Sequence, residues 1–173
     1  MKLQIGVIGG SEPDSEHRKM AFEVGILLAR SSVTVICGGL TGVMEAVAEG
    51  VEKEGGICIG ILPGMNPGGG NSHLTAGIST GMGFARNFLV VRASDALIAI
   101  DGSNGTLSEA SFAIAEGKSV ISLDSFTLKR RKKSEGRFIA AGSPAEAVSL
   151  AALEAEKRRR SYARMRNGAD EGS

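Results

Sequence analysis

Short apolar runs alternate with longer amphipathic segments along most of the chain. The short runs are typical of buried strands and predict strands over 3–8, 33–37, 57–62, 77–80, 96–100 and 119–123. Helical spacing of apolar residues predicts helices over 15–30, 42–54, 83–94 and 106–117, and a terminal helix that Ser143 and Pro144 begin and that runs to about 165. In the helix over 83–94, Phe84, Phe88 and Val91 share one face. The alternation predicts a doubly wound α/β domain, with a mostly parallel sheet flanked by helices.

Length and cysteine content restrict the class of protein. The chain has 173 residues, enough for one domain with a full core, which we expect over 1–165, followed by a disordered tail over 166–173. No apolar run approaches 18 residues, and the N-terminus lacks the pattern of a signal peptide, so a membrane span is disfavoured and a cytoplasmic location is expected. Cys37 and Cys58 fall in predicted strands, where free buried thiols are the favoured interpretation and a disulfide is the alternative.

Two predicted strand-to-helix turns are rich in glycine. Residues 38–42 read Gly-Gly-Leu-Thr-Gly, and residues 101–106 read Asp-Gly-Ser-Asn-Gly-Thr. Free backbone N–H groups and the positive end of a helix dipole meet in such turns and can hold phosphate. Two of them at the carboxyl ends of parallel strands predict one nucleotide-like ligand lying across the sheet. A third turn follows the first strand, but its Gly-Gly-Ser does not match the G-x-G-x-x-G fingerprint of NAD-binding domains. The predicted binding residues are Gly9, Gly10, Ser11, Gly38, Gly39, Thr41, Gly42, Gly102, Ser103, Asn104, Gly105 and Thr106.

Four segments carry a family resemblance: IGVIGGSE at 5–12, CGGLTGVMEAVAEG at 37–50, GMGFARN at 81–87 and GSNGTLSE at 102–109. In these segments the chain resembles the LOG-like, Rossmann-type proteins often misnamed lysine decarboxylases. Within that group it is most similar to a bacterial and archaeal branch related to molybdenum-cofactor carrier proteins. The resemblance covers roughly residues 3–123. It implies a single Rossmann-like domain and a homodimer or larger homo-oligomer, for which the helix over 106–117 and its neighbours could supply the interface.

The resemblance also implies a catalytic pair. LOG enzymes hydrolyse the N-glycosidic bond of nucleoside 5′-monophosphates, and their signature PGGxGTxxE follows an arginine–lysine pair on the preceding helix. Gly105, Thr106 and Glu109 match that signature, and Arg86 matches the arginine, so Arg86 and Glu109 are the catalytic candidates. A carboxylate can stabilise the positive charge that develops on the ribose or orient water, and an arginine can clamp phosphate or assist the leaving base. The structural alternative is that Glu109 favours its own helix N-terminus and pairs with Arg86.

Three departures from the signature argue against catalysis. Asp101 replaces the proline, Ser103 the second glycine and Asn87 the lysine. Asp101 would place negative charge beside the phosphate, and Ser103 removes a position that is free to adopt positive φ. Two hypotheses of different class follow. One is a phosphoribohydrolase that requires no cofactor. The other is a non-catalytic binding or carrier protein for an AMP-like nucleotide or a molybdopterin-type ligand.

The remaining features favour simpler interpretations. Basic runs at 129–133 and 157–160 raise the possibility of nucleic-acid binding, but the net charge is only +1 and no aromatic residues interleave with them, so solvated surface is favoured. No cluster of His, Cys, Asp and Glu has metal-ligand spacing, so we predict no metal site. The glycine-rich loop at 63–70 is either a flexible lid or a plain connection.

Overall fold

The computed structural model describes residues 2–129 and 132–170, except for the side chains of 165–170. In chain order, the strands and α-helices are β1 (Gln4–Gly9), α1 (Ser15–Arg30), β2 (Thr34–Cys37), α2 (Val43–Lys53), β3 (Ile57–Leu62), β4 (Ala76–Ser79), α3 (Asn87–Ala93), β5 (Ala96–Ile100), α4 (Asn104–Ala115), β6 (Val120–Leu123), β7 (Phe138–Ala141) and α5 (Pro144–Asp170). Short 3₁₀ helices span Pro67–Gly69 and Gly83–Arg86. No helix in this part of the chain is both long and apolar enough to cross a bilayer.

All seven strands run parallel in one sheet, in the order β4-β3-β2-β1-β5-β6-β7. The predicted doubly wound α/β class is therefore confirmed. From β1 the chain builds the sheet in one direction as far as β4, and from β5 it builds in the other. The order reverses between β1 and β5, and the carboxyl ends of the strands at such a reversal form a crevice.

Successive residues of the central strands face opposite layers of helices. On one face Val7 and Ile98 pack with buried residues of α1, α2 and α5, and on the other Ile8 and Leu97 pack with buried residues of α3 and α4. Because both faces are covered, the central strand β5 is apolar and buried throughout and does not alternate. The thiols of Cys37 and Cys58 are free and buried, with 3.8 Å between their sulfur atoms.

The structure corrects the predicted elements at three places. Strand β7 has no counterpart in the prediction, because a four-residue edge strand that is only partly buried leaves a weak pattern. Helix α4 begins at Asn104, two residues before the predicted start, since Ser103 takes the N-cap position. The predicted helix over 83–94 divides into the 3₁₀ turn Gly83–Arg86 and α3, and this change of pitch moves Phe84 away from the buried face.

The predicted start of the terminal helix is confirmed. The Ser143 hydroxyl accepts a hydrogen bond from the N–H of Glu146 at 3.2 Å, and the Glu146 carboxylate accepts one from the N–H of Gly142 at 2.8 Å, which together cap α5. The helix continues to Asp170, past the predicted end at 165 and into the predicted tail over 166–173. Residues 171–173 of that tail lie outside the described residues.

Candidate functional site

A cavity of about 200 Å³ opens at the carboxyl ends of β1 and β2, beside the first turn of α4. It lies where the strand order reverses, at the position expected for a ligand site in this architecture. Its lining consists of Val7, Ile8, Gly9, Ser11, Gly38, Leu40, Met44, Phe84, Arg86, Asn87, Ser103, Gly105, Thr106 and Glu109.

The first turn of α4 presents backbone donors to this cavity. The first hydrogen bond back to the cap joins the N–H of Leu107 to the carbonyl of Ser103 at 3.0 Å, and the Ser103 side chain makes no capping bond. The preceding N–H groups, at 104–106, therefore have no acceptor within the described residues. A Cβ atom added at Gly105 would meet nothing closer than 3.9 Å, so the backbone there is open to an approaching anion.

Arg86 and Glu109 form a buried pair in the lining of the cavity. The Nη1 atom of Arg86 lies 3.8 Å from Oε1 of Glu109, and the two side chains are only 9% and 8% exposed. Arg86 Nη2 donates to the carbonyl of Gly38 at 3.3 Å, and Nη1 donates to the Asn87 side-chain oxygen. Its Nε atom is buried and has no hydrogen-bond partner among the described residues. A Cβ at 38 would lie 2.5 Å from Nη2 and 2.6 Å from the Met44 sulfur, so a larger residue there would displace these side chains.

Burial, and not the ion pair, dominates the titration of Glu109. Desolvation raises the pKa of this carboxyl to about 7, and the attraction of Arg86 offsets only part of that rise. The 3.8 Å separation is too long for a hydrogen bond, which explains why Arg86 lowers the pKa of Glu109 by less than burial raises it. Desolvation likewise lowers the pKa of Arg86. Near neutral pH, Glu109 is thus divided between its protonated and ionised forms, as a general acid or base requires.

The turn at 38–42 (the α2 turn) behaves differently from the turn at 101–106 (the α4 turn). The first N–H of α2, on Val43, donates to the carbonyl of Gly10 at 3.0 Å. The carbonyl of Gly39 accepts the backbone N–H of Asn71, and the carbonyl of Leu40 accepts its side-chain amide, both at 2.9 Å. In the α2 turn the first helical N–H and two of the carbonyls are therefore bonded within the protein, and those two carbonyls are held by Asn71 of the loop after β3.

The structure brings together part of the predicted site. Of the predicted residues, the cavity lining includes Gly9, Ser11, Gly38, Ser103, Gly105, Thr106, Arg86 and Glu109. Outside it lie Gly10, Gly39, Thr41, Gly42, Gly102 and Asn104, and a ligand role for any of them stays a prediction. The lining also contains residues that the prediction omitted, among them Phe84 and Met44. Their apolar side chains follow helical spacing in the sequence and therefore resemble core positions.

The conformation of the α4 turn bears on two of the departures from the signature. Asp101 and Gly102 adopt positive φ, at 53° and 138°, whereas Ser103 has a φ of −111° that any residue can adopt. Asp101 is not part of the cavity lining, and its carboxylate lies against Gly10, where an added Cβ would be 2.6 Å from Oδ2. The Ser103 position therefore does not require glycine, and the Asp101 carboxylate lies outside the cavity lining, beside Gly10.

A buried lysine anchors the helix that follows Arg86. The ammonium group of Lys118 donates to the carbonyls of Val91, Arg92 and Ser94 at 2.6, 3.0 and 2.8 Å, which caps the C-terminus of α3. Burial lowers the pKa of Lys118 to about 8. A single lysine between two apolar segments is the only sequence signal of this contact.

The basic run at 157–160 is largely neutralised by neighbouring carboxylates. Lys157 pairs with Glu154 at 2.7 Å and Arg159 pairs with Asp95 at 2.7 Å. In the other run, Arg130 and Arg131 lie outside the described residues. Among the described residues, no group of three or more His, Cys, Asp or Glu side chains is placed to hold a metal ion.

The family model for the SLOG cluster4 family matches residues 2–148. The chain belongs to the SLOG cluster4 family. This match confirms the relationship to LOG-like proteins that the four motifs indicated, and with it the Rossmann-like fold.

Similarity extends to three proteins, two of which are described by function. It is 48% identical over 124 residues to an uncharacterized protein of Archaeoglobus fulgidus, covering 71% of this chain and 82% of that one. It is 37% identical over 102 residues to a probable cytokinin riboside 5′-monophosphate phosphoribohydrolase of rice, covering 57% of this chain but only 45% of the rice protein. The solved molybdenum cofactor binding protein of Rippkaea orientalis is 34% identical and superposes with a TM-score of 0.79, covering 87% of this chain and 95% of that one.

Proposed function

We propose that the protein binds a nucleoside 5′-monophosphate in this cavity and hydrolyses its N-glycosidic bond. The observation that supports this most is the buried pair of Arg86 and Glu109 beside the unoccupied N–H groups of α4. A carboxyl with a pKa of about 7 is suited to acid–base work at neutral pH. The rice relative, whose name describes this reaction, adds support from similarity.

The residues divide into those that bind and those that act. We assign the phosphate to the N–H groups of the first turn of α4, with the hydroxyls of Ser103 and Thr106 as further donors. Arg86, fixed by its bond to the carbonyl of Gly38, supplies the positive charge. This arrangement needs no cofactor.

The proposed reaction adds water across the bond between C1′ of the ribose and the base nitrogen. That bond breaks with its electron pair going to the base, and positive charge develops on the ribose. The ionised form of Glu109 stabilises this charge and accepts the proton of the attacking water as oxygen bonds to C1′. The base takes up a proton from solvent as it leaves, Glu109 then releases to solvent the proton that it accepted, and the products are free base and ribose 5-phosphate.

The second candidate is a non-catalytic binding or carrier protein for a molybdopterin-type ligand, using the same cavity. It is favoured by the superposition on the molybdenum cofactor binding protein, which extends over more of the chain than the match to the rice protein. The replacement of the motif lysine by Asn87 also favours it, since that change removes a cation from the catalytic signature.

The deciding experiment incubates the purified protein with a panel of nucleoside 5′-monophosphates and assays free base and ribose 5-phosphate by chromatography. We expect base release, and a loss of roughly 100-fold or more in Glu109→Gln. Thermal stabilisation by AMP should remain in that variant, and Glu116→Gln, at the C-cap of α4 and outside the cavity lining, is the control. Absence of base release together with stabilisation by AMP or a molybdopterin-type ligand would favour the second candidate.

The proposal includes a homodimer or larger homo-oligomer in the cytoplasm. Phe88 and Leu107, on α3 and α4, are 46% and 38% exposed, and large apolar side chains at a surface are typical of an interface. The free thiols of Cys37 and Cys58 fit a reducing compartment. Light scattering coupled to size-exclusion chromatography tests the assembly, and a monomer at all concentrations would contradict it.

A further inference from the structure

Phe84 occupies an unusual position for a large apolar side chain. It lies in the lining of the cavity, yet its residue surface is 92% exposed. An aromatic ring left in water gives up the favourable burial and stacking contacts that such rings make elsewhere. Phe84 therefore presents a flat apolar surface at the rim of the proposed nucleotide site.

The backbone around Phe84 is fixed. The N–H groups of Gly81 and Gly83 each donate to the loop after β3, to the carbonyls of Gly64 and Pro63, both at 3.0 Å. A 3₁₀ turn then carries the chain from Phe84 at the rim to Arg86, whose side chain is buried. The exposed ring and the buried guanidinium thus belong to one short, anchored segment.

The size of the cavity indicates what this ring contacts. At about 200 Å³ it is smaller than the roughly 300–1,000 Å³ that enclose a typical small-molecule ligand. With the phosphate on α4 and the sugar beside Glu109, the rest of a nucleotide must lie over the rim. Of the described residues that line the cavity, Phe84 is the one aromatic.

We propose that Phe84 is the stacking platform for the planar ring of the ligand. This inference rests on the proposed function and deepens it by naming the ligand class, namely phosphate-bearing compounds with an aromatic heterocycle, as opposed to simple sugar phosphates. Stacking tolerates different bases because every base has a π-face. A purine, with its larger face, is bound more tightly than a pyrimidine.

Calorimetric titrations with AMP, CMP and ribose 5-phosphate test this, with every variant made on Glu109→Gln so that no nucleotide is consumed. Added Phe84→Ala should weaken AMP binding roughly tenfold, weaken CMP binding less and leave ribose 5-phosphate within about twofold. Added Phe84→Tyr should retain the AMP affinity. Met65→Ala is the matched control, because Met65 is another exposed apolar residue, close to Gly81 but outside the cavity lining.

The outcomes separate this inference from the proposed function. If the parent binds AMP and Phe84→Ala leaves that affinity unchanged, or weakens ribose 5-phosphate equally, Phe84 is not a stacking platform. If the loss of AMP affinity instead accompanies dissociation of an oligomer in light scattering, the ring belongs to an interface between copies. If the parent binds neither AMP nor ribose 5-phosphate, the proposed function fails, and the stacking role fails with it.

Discussion

The α2 turn and the α4 turn have the same arrangement in sequence but differ in the hydrogen bonding of their backbone groups. Both join a buried parallel strand to a helix through glycines. In the α2 turn the first helical N–H bonds to Gly10, and Asn71 takes up two of the carbonyls. In the α4 turn the N–H groups stay open beside Arg86 and Glu109. The two turns therefore differ in their first helical N–H groups, since that of Val43 is bonded within the protein and those of 104–106 have no acceptor among the described residues.

The largest effect that tests this comparison is expected for Gly42→Ala, in the α2 turn. Gly42 has a φ of 72°, and an added Cβ would lie 2.5 Å from backbone atoms of Gly10 and Ser11. Strain and steric overlap together should lower the free energy of unfolding by about 4 kcal/mol in urea titrations. Gly55→Ala is the control, because Gly55 has a φ of 64° and no atom within 4 Å, so it should lose only about 1 kcal/mol. Equal losses at the two sites would show that the α2 turn is not closely packed.

Next in size is the pH dependence that Glu109 gives to stability. Its pKa is about 7 in the folded protein and 4.5 ordinarily, so the folded state holds the proton more tightly. The stabilisation that results is complete below pH 4.5 and is lost as the pH rises through 7. Between pH 4 and pH 8 the wild type should therefore lose about 3 kcal/mol of unfolding free energy relative to Glu109→Gln. If the difference in unfolding free energy between the two proteins stayed constant with pH, the raised pKa of Glu109 would be contradicted. Glu156→Gln, at an exposed carboxyl, is the control.

A smaller effect is expected where the loop after β3 closes the α2 turn. Asn71→Ala removes the 2.9 Å hydrogen bond to the carbonyl of Leu40 and should cost about 1 kcal/mol of unfolding free energy. Asn66→Ala in the same loop removes only an exposed local bond to the N–H of Gly68 and serves as the control. AMP affinity should be unaffected in both variants, and a loss in Asn71→Ala alone would show that the α2 turn takes part in binding.

The smallest change in stability is expected for Gly105→Ala, in the α4 turn. The added methyl group meets open space in a helical position, so the unfolding free energy should change by less than about 1 kcal/mol. The same methyl group enters the cavity and should block one hydrogen bond from a backbone N–H to the phosphate. We expect AMP affinity to fall roughly tenfold, because that is about the contribution of one hydrogen bond to a charged group. Gly64→Ala, where an added Cβ has no atom within 4 Å, should change neither quantity. Undiminished AMP affinity in Gly105→Ala would place the phosphate elsewhere.

The alternation of apolar runs and helical spacing was enough to predict the layer architecture, because both signals are local. The pattern does not reveal β7, whose four residues are only partly buried at the sheet edge. It also places Phe84 on the same helix face as Val91, because the spacing assumes an α-helix throughout. A 3₁₀ turn advances each residue by about 120° and not 100°, so the ring leaves that face.

The residues of the candidate site could be predicted where a motif marks them. The direction of a side chain and the pairing of a backbone group could not be predicted where they depend on residues distant in sequence. Arg86 and Glu109, 23 positions apart in the numbering, meet because their segments reach the same crevice. The direction of the Asp101 carboxylate depends on positive φ and on the approach of Gly10, neither of which the motif encodes. The closure of the α2 turn likewise depends on Asn71, which lies in a different loop.

The two sides of the sheet come from separate parts of the chain, residues 4–79 for β1–β4 and residues 96–141 for β5–β7, and β1 with β5 is the strand pair that joins them. The cavity straddles this seam, since Gly38 lies on one side and Glu109 on the other. A ligand held by both sides adds its binding free energy to the cost of separating them. Binding should therefore make unfolding more cooperative, and hydrogen exchange should slow together in the amides of β1 and β5.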